Sequence, residues 1–174
     1  MKITLLGYMG SGKTTIGKEL SDTLNFKFVD LDEFIEFVYK KPVSEIFSHE
    51  GEIKFRKYER EALMEILNSS DDLILSLGGG TPAYYDNMDF INKHSNSFYL
   101  RLTPSDLVKR LMEEKISRPL LAHLSDEELP EFIAKHLFER RNFYEKAMKT
   151  INVKEKTVEE IVQEIILNPN LQQK

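Results

Sequence analysis

Gly7-Tyr8-Met9-Gly10-Ser11-Gly12-Lys13-Thr14 is the stretch on which the reading of this chain turns. It has glycine, glycine, lysine and threonine at the four fixed places of G-x-x-x-x-G-K-[ST]. A short apolar run at residues 3–6 precedes it and a helical periodicity follows it, the setting that a phosphate-binding loop requires. Glycines let the backbone turn with its N–H groups pointing inward, so that their dipoles converge on phosphate oxygens. The helix that follows adds the positive end of its dipole. Lys13 supplies a mobile cation for the β- and γ-phosphates of a nucleotide, and the Thr14 hydroxyl is a hard oxygen suited to Mg2+.

Outward from this loop the chain alternates. Residues 2–6, 26–29, 73–77, 97–102 and 150–153 read as short apolar strands. Between them, helical periods run over residues 13–24, 33–39, 43–47, 50–67, 84–92, 103–115, 132–148 and from 157 onward. Asp32 is expected to cap the helix over 33–39. Ile53, Tyr58, Ala62, Leu63, Ile66 and Leu67 should form the buried stripe of the long helix, with Arg56 on the other side. Ser125 with Glu128, and Thr157 with Glu160, have capping-box spacing, and residues 168–174 should fray. Strands alternating with helices, without repeats or linkers, predict an α/β fold: a parallel sheet covered on both faces. Ligands in such folds bind at loops after the carboxyl ends of the strands. Three segments qualify here: the phosphate loop, Asp30-Leu31-Asp32 and Gly78-Gly79-Gly80.

The bulk numbers narrow the function. A length of 174 residues, 41% of them hydrophobic, fits one domain with a real core. A net charge of −5 argues against nucleic acid as a partner. The absence of cysteine excludes disulfides, thiolate metal sites and a thiol nucleophile. The first apolar run is too short for a signal peptide, and no stretch approaches the ~18 apolar residues of a membrane span. The expectation is a cytoplasmic enzyme without a membrane partner and, by default, a monomer.

Phosphoryl transfer asks mainly for positioning and charge neutralisation, together with a group to receive the acceptor's proton. Of Asp30 and Asp32, one could assist Mg2+ while the other faces an acceptor hydroxyl, unless the pair only caps a helix. Three consecutive glycines at a strand end suggest backbone closely approaching a ligand, the alternative being a flexible turn. Arg56 reads as a solvated residue paired with Glu52, or as an anion ligand. Arg118, in the aperiodic stretch 116–124, could close over the transferring phosphate or simply lie on a surface loop. Arg140 and Arg141 point about 100° apart on a helix, so at most one belongs in a shared site. The four histidines have no metal-ligand spacing. Phe34, Phe37 and Tyr39 read as helix packing.

This set resembles shikimate kinase, a small kinase family with a phosphate loop and a nucleoside-monophosphate-kinase-like architecture. The resemblance rests on Asp30-x-Asp32, Glu45-Ile46-Phe47, Gly51-Glu52, Phe55-Arg56 with Glu59, Leu77-Gly78-Gly79-Gly80, Arg118-Pro119-Leu120-Leu121, and Arg140 with Tyr144. These occur in family order over about residues 3–165. The resemblance implies a three-layer α/β/α fold with a five-stranded parallel sheet. It implies a single domain, with a substrate-binding helical region near residues 31–61 and a mobile lid near 112–124 that closes on ligand. It implies ATP-dependent phosphorylation of the 3-hydroxyl of shikimate, in the pathway to chorismate and the aromatic amino acids, with one Mg2+ per site.

The same resemblance implies ATP contacts from Gly10, Ser11, Gly12, Lys13, Thr14, Thr15, Arg110 and Arg118, and a metal site at Thr14 and Asp30. Asp32 would bind the substrate hydroxyls and take the proton, with Lys13 and Arg118 acting on the phosphates. Arg56 and Arg140 would clamp the substrate carboxylate, and Gly78, Gly79 and Gly80 would line its pocket. The family has proline two residues after the substrate arginine, where this chain has Asn142. The four-residue spacing to Tyr144 favours Arg140 over Arg141. The competing readings are a gluconate or nucleotide kinase of the same fold, and a nucleotide-binding switch that transfers nothing.

Overall fold

The computed structural model describes residues 1–118 and 120–171. Five strands, β1 (Lys2–Leu6), β2 (Lys27–Asp30), β3 (Leu73–Ser76), β4 (Asn96–Arg101) and β5 (Lys149–Asn152), form one all-parallel sheet in the order β2-β3-β1-β4-β5. Burial follows that order. β3 is wholly buried and β1 nearly so, whereas β2 and β5 at the edges carry partly exposed residues. Among the described residues seven α-helices accompany the strands: α1 (Lys13–Leu24), α2 (Leu31–Tyr39), α3 (Val43–Asn68), α4 (Asn87–His94), α5 (Pro104–Glu114), α6 (Glu128–Tyr144) and α7 (Val158–Ile166).

The chain leaves β1 toward β2 on one side and leaves β3 toward β4 on the other. β1 and β3 are neighbours, so their carboxyl ends flank the switch point at which an open α/β sheet forms its crevice. The register sets Leu5 beside Ser76, and Asp30 beside Ser76 from the other side. The phosphate loop, the acidic pair and the three glycines therefore emerge along one edge. Gly7 is required where it stands: its φ is 148°, and a Cβ there would lie 2.7 Å from the Leu100 carbonyl.

Several local expectations need correction. Asp30, not Asp32, caps α2, and its Oδ1 accepts from the backbone N–H groups of Asp32 and Glu33. Asp32 thereby falls in the first helical turn. The two helices expected over 43–47 and 50–67 are present as the two halves of α3, which meet at a non-helical Gly51 (φ 82°, ψ 168°), and this break, one residue inside the expected second helix, resets the helical phase. Ile53 consequently points outward, 87% exposed, and the buried face comprises Phe55, Arg56, Glu59, Ala62, Leu63, Ile66 and Leu67. Arg56 thus lies on the inner face rather than in solvent. Phe37 is 70% exposed, so of the three aromatics on α2 only Phe34 and Tyr39 pack, Tyr39 on Tyr58.

The weak helix expected at 84–92 is instead a short 3-10 turn at Thr81–Ala83 followed by α4. α6 starts at Glu128, behind a reciprocal Ser125–Glu128 exchange, and ends at Tyr144 rather than at residue 148. The Thr157 capping box forms at α7. Residues 169–171 make a 3-10 turn with Leu171 buried, so the end of the chain is tied down up to that point. Of the segment expected to fray, residues 172–174 lie outside the described residues, as does Pro119 of the expected lid. Among the described residues, no helix is long and apolar enough to cross a membrane.

Candidate active site

A cleft of about 440 Å3 opens at the switch point. Gly10, Gly12, Lys13, Thr14 and Thr15 line one side, Asp30, Asp32, Gly78 and Gly79 another, and Arg110, Glu113, Glu114 and Arg118 the rim. Ser11, within the loop, is buried, and its hydroxyl finds no hydrogen-bond partner among the described residues.

Gly12 starts α1 with no side-chain cap, leaving the loop and the first turn of α1 to offer their N–H groups to an anion. Lys13 Nζ donates to the carbonyls of Gly7 at 3.0 Å and Tyr8 at 3.1 Å, which hold it over the loop. Burial lowers Lys13 to about 8, against the pull of Asp32 and Asp30 and with the help of Arg118 and Arg140.

Thr14 Oγ1 lies 3.5 Å from Asp30 Oδ2. A hydroxyl and a carboxylate at the mouth of a phosphate loop fit Mg2+, which takes few protein oxygens and completes its shell with water and phosphate. No group of three His, Cys, Asp or Glu residues that could hold a metal occurs among the described residues.

The three glycines form the floor between the acidic pair and the arginines, and each lies against one candidate side chain. A Cβ on Gly78 would stand 3.1 Å from Asp32 Oδ1, one on Gly79 3.5 Å from Arg140 Nη1, and one on Gly80 2.7 Å from Arg56 Nη2. Burial, then Asp30 and Glu59, push Asp32 up to about 6, although Lys13 and Arg56 draw it down. A carboxylate poised there can accept a proton near neutral pH.

Arg56 is 8% exposed. Its Nη1 donates to Glu59 Oε2 at 3.0 Å and its Nη2 to Glu52 Oε1 at 3.3 Å, and its guanidinium stacks on Tyr84 with the carbon 4.0 Å from the ring centroid. Its buried Nε has no partner among the described residues. Glu59, 1% exposed, also accepts from the Thr81 hydroxyl at 2.6 Å, and burial pushes its carboxyl above the usual range. Thr81 and Tyr84 went unnoticed in the sequence because neither belongs to a recognisable motif.

On α6, Arg140 reaches Gly79, whereas Arg141 is 61% exposed and pairs with Glu145 at 2.6 Å. Tyr144 is fully buried, and its hydroxyl donates to the Gly79 carbonyl at 2.5 Å. On the rim, Arg110 Nη1 donates to the Gly10 carbonyl at 3.2 Å, and Arg118 is held by Glu114 one turn before it. Leu121 is fully buried, which anchors the far end of this segment, while Ile116 and Leu120 are exposed.

A phosphate loop at the switch point of a parallel sheet, opposite a carboxylate and two arginines held against bare backbone, is the arrangement of a P-loop kinase for a small anionic acceptor. The comparisons agree and go further. The family model for shikimate kinase matches residues 9–168. Shikimate kinase of Flavobacterium psychrophilum is 48% identical over 165 residues, which cover 94% of this chain and 96% of that protein. The crystal structure of shikimate kinase from Bacteroides thetaiotaomicron matches with a TM-score of 0.89 at 40% identity, covering 95% of this chain and 96% of the other. Shikimate kinase from Acinetobacter baumannii, solved in complex with shikimate, matches with a TM-score of 0.87 at 30% identity over 99% and 94% of the two chains. The chain belongs to the shikimate kinase family.

Proposed function

We propose that this chain transfers the γ-phosphoryl group of ATP to the 3-hydroxyl of shikimate, giving shikimate 3-phosphate and ADP for the synthesis of chorismate and the aromatic amino acids. One observation carries the assignment of its residues: Asp32, Arg140 and Arg56 each stand against one of the three consecutive glycines, beside the cleft that holds Lys13.

ATP lies with its phosphates on the backbone of residues 10–15, Lys13 on the β- and γ-oxygens and Arg110 at the loop's rim. Arg56 and Arg140 grip the shikimate carboxylate, and the bare backbone of Gly78, Gly79 and Gly80 lets the ring approach closely. Asp32 accepts the proton of the attacking hydroxyl as its oxygen bonds to the γ-phosphorus and the bond to the β–γ bridging oxygen breaks. Arg118 exchanges Glu114 for the transferring phosphate as residues 112–124 close, which neutralises charge and keeps water out. Thr14 and Asp30 are the residues that would hold one Mg2+, which would neutralise negative charge on the phosphates. Glu59 holds Arg56 in place.

We read the chain as a monomer of one domain acting on small-molecule substrates in the cytoplasm. ADP release measured with shikimate, gluconate and nucleoside monophosphates as acceptors tests the assignment. Turnover with shikimate alone is the expected result, and faster turnover with another acceptor would overturn it.

A further inference from the structure

Tyr8, the first variable residue of the phosphate loop, is 1% exposed, although loop tips usually face solvent. Its hydroxyl meets His136 Nδ1 at 3.0 Å, a contact spanning 128 positions of sequence. The two rings meet edge to face with centroids 5.7 Å apart, and His136 rests against Phe132 on its other side at 5.1 Å. His136, Arg140 and Tyr144 follow at four-residue intervals and so share one face of α6. Tyr144 is tied to the Gly79 carbonyl on the acceptor side, next to Arg140, whose charge acts on it. Arg140 therefore sits between two tethers, one to the loop after β1 and one to the loop after β3.

We infer that Tyr8 and His136 are positioning residues: their hydrogen bond fixes α6 against the phosphate loop and so sets Arg140 for the acceptor carboxylate. This rests on the functional reading given above. Planar recognition of a carboxylate needs its guanidinium held within about 0.5 Å, and a long arginine side chain attains this only with support from behind. The polarity of the bond is defined by its surroundings. Burial and then Arg140 lower the His136 pKa, Glu139 opposes them, and Arg56 from α3 adds to the lowering. Burial raises Tyr8 to about 12. The ring is therefore neutral near pH 7, and the Tyr8 hydroxyl donates to Nδ1. A neutral ring also spares Arg140 a like charge one turn away.

Tyr8→Phe keeps the ring packing and removes only the hydroxyl. His136→Leu removes the acceptor, and His136→Asn restores an oxygen near the place of Nδ1. Steady-state kinetics of the full chain should show the shikimate KM raised about three- to tenfold in Tyr8→Phe and in His136→Leu. The ATP KM and kcat should change less than about twofold, His136→Asn should lie close to the parent, and the double variant Tyr8→Phe/His136→Leu should be no worse than either single one. A shikimate KM within twofold of the parent, equal shifts of both KM values, additive single effects, or no recovery in His136→Asn would each overturn the inference. A second readout needs no acceptor: the His136 ring followed by 15N NMR should titrate at a higher pH in Tyr8→Phe, because the neutral form loses its donor. An unchanged midpoint also counts against the pairing. Failure of the parent chain to turn over shikimate would instead refute the functional reading, and the titration would then decide the pairing.

Discussion

Asp32→Asn should make this protein more stable while it stops catalysis. The fold holds Asp32 at about 6, above its ordinary 3.8, so at neutral pH the native state carries a carboxylate that it solvates worse than water does. At about 1.4 kcal/mol per pH unit the difference amounts to about 3 kcal/mol. Asp32 remains half-buried at the edge of the cleft, and solvent screening reduces this to about 1–2 kcal/mol. For a chain of this size that corresponds to about 3–6 °C in Tm.

The pH dependence follows from proton counting. Between pH 3.8 and about 6 the native state binds more protons at this site than the unfolded state, so the contribution of Asp32 falls as pH rises through that window. Asparagine is indifferent to pH. Thermal melts of the two proteins should coincide near pH 4 and separate in favour of Asp32→Asn by pH 7.5. In the parent, kcat/KM for shikimate should rise with pH through about 6, and in the variant kcat should fall by about 100-fold or more. A variant that melts lower at pH 7.5, or that gains the same increment at both pH values, would refute the account of Asp32 as a carboxylate kept charged at a cost.

Gly80→Ala should raise the shikimate KM more than about tenfold, because its methyl group would press on Arg56 at 2.7 Å, whereas Gly79→Ala, with 3.5 Å to Arg140, should cost less than about threefold. Equal effects at the two positions would contradict the packing described. Arg140→Ala should raise the same constant by about 100-fold, while Arg141→Ala, losing only a surface pair with Glu145, should stay within about twofold; the reverse order would move the carboxylate contact to Arg141. Arg118→Ala should lower kcat by about 1,000-fold with little change in shikimate binding measured by titration. Glu114→Gln should shift the ATP KM downward by less than about threefold, because the pair it breaks is partly exposed, and an upward shift would count against phosphate replacing Glu114.

The frame of the fold was legible because its signals are local. The glycine-lysine-threonine loop, the alternation of apolar strands with helical periods, and the caps at Ser125 and Thr157 are all short-range patterns, and each appears in the structure. Strand limits shifted by about one residue because ladder pairing, not apolar content, sets where a strand begins. What could not be read was anything carried by contacts distant in sequence. Arg56 and Glu59 occupy positions that hydrophobic periodicity assigns to solvent or leaves blank, yet they are buried against Tyr84 and Thr81, which lie beyond β3 in the chain and complete the partners of the pair. The bend at Gly51 was visible as a glycine within a helical run, and that signal would have corrected the phase that put Ile53 inside. The sequence assigns the cap of α2 to Asp32, whereas β2 runs to Asp30 and so gives Asp30 that place. Tyr8 and His136 have no local signature at all. Their contact follows from α6 packing across the phosphate loop.

The central claim is that one cleft passes a phosphoryl group directly from a nucleotide on the loop to a hydroxyl held by Asp32, Arg56 and Arg140. Incubation with ATP, Mg2+ and shikimate, followed by 31P NMR and mass analysis of the products, tests it most directly. The account predicts ADP and a single monophosphate ester at the 3-hydroxyl in equal amounts. ADP formed without an esterified acceptor, or at a rate that shikimate does not raise, would contradict it.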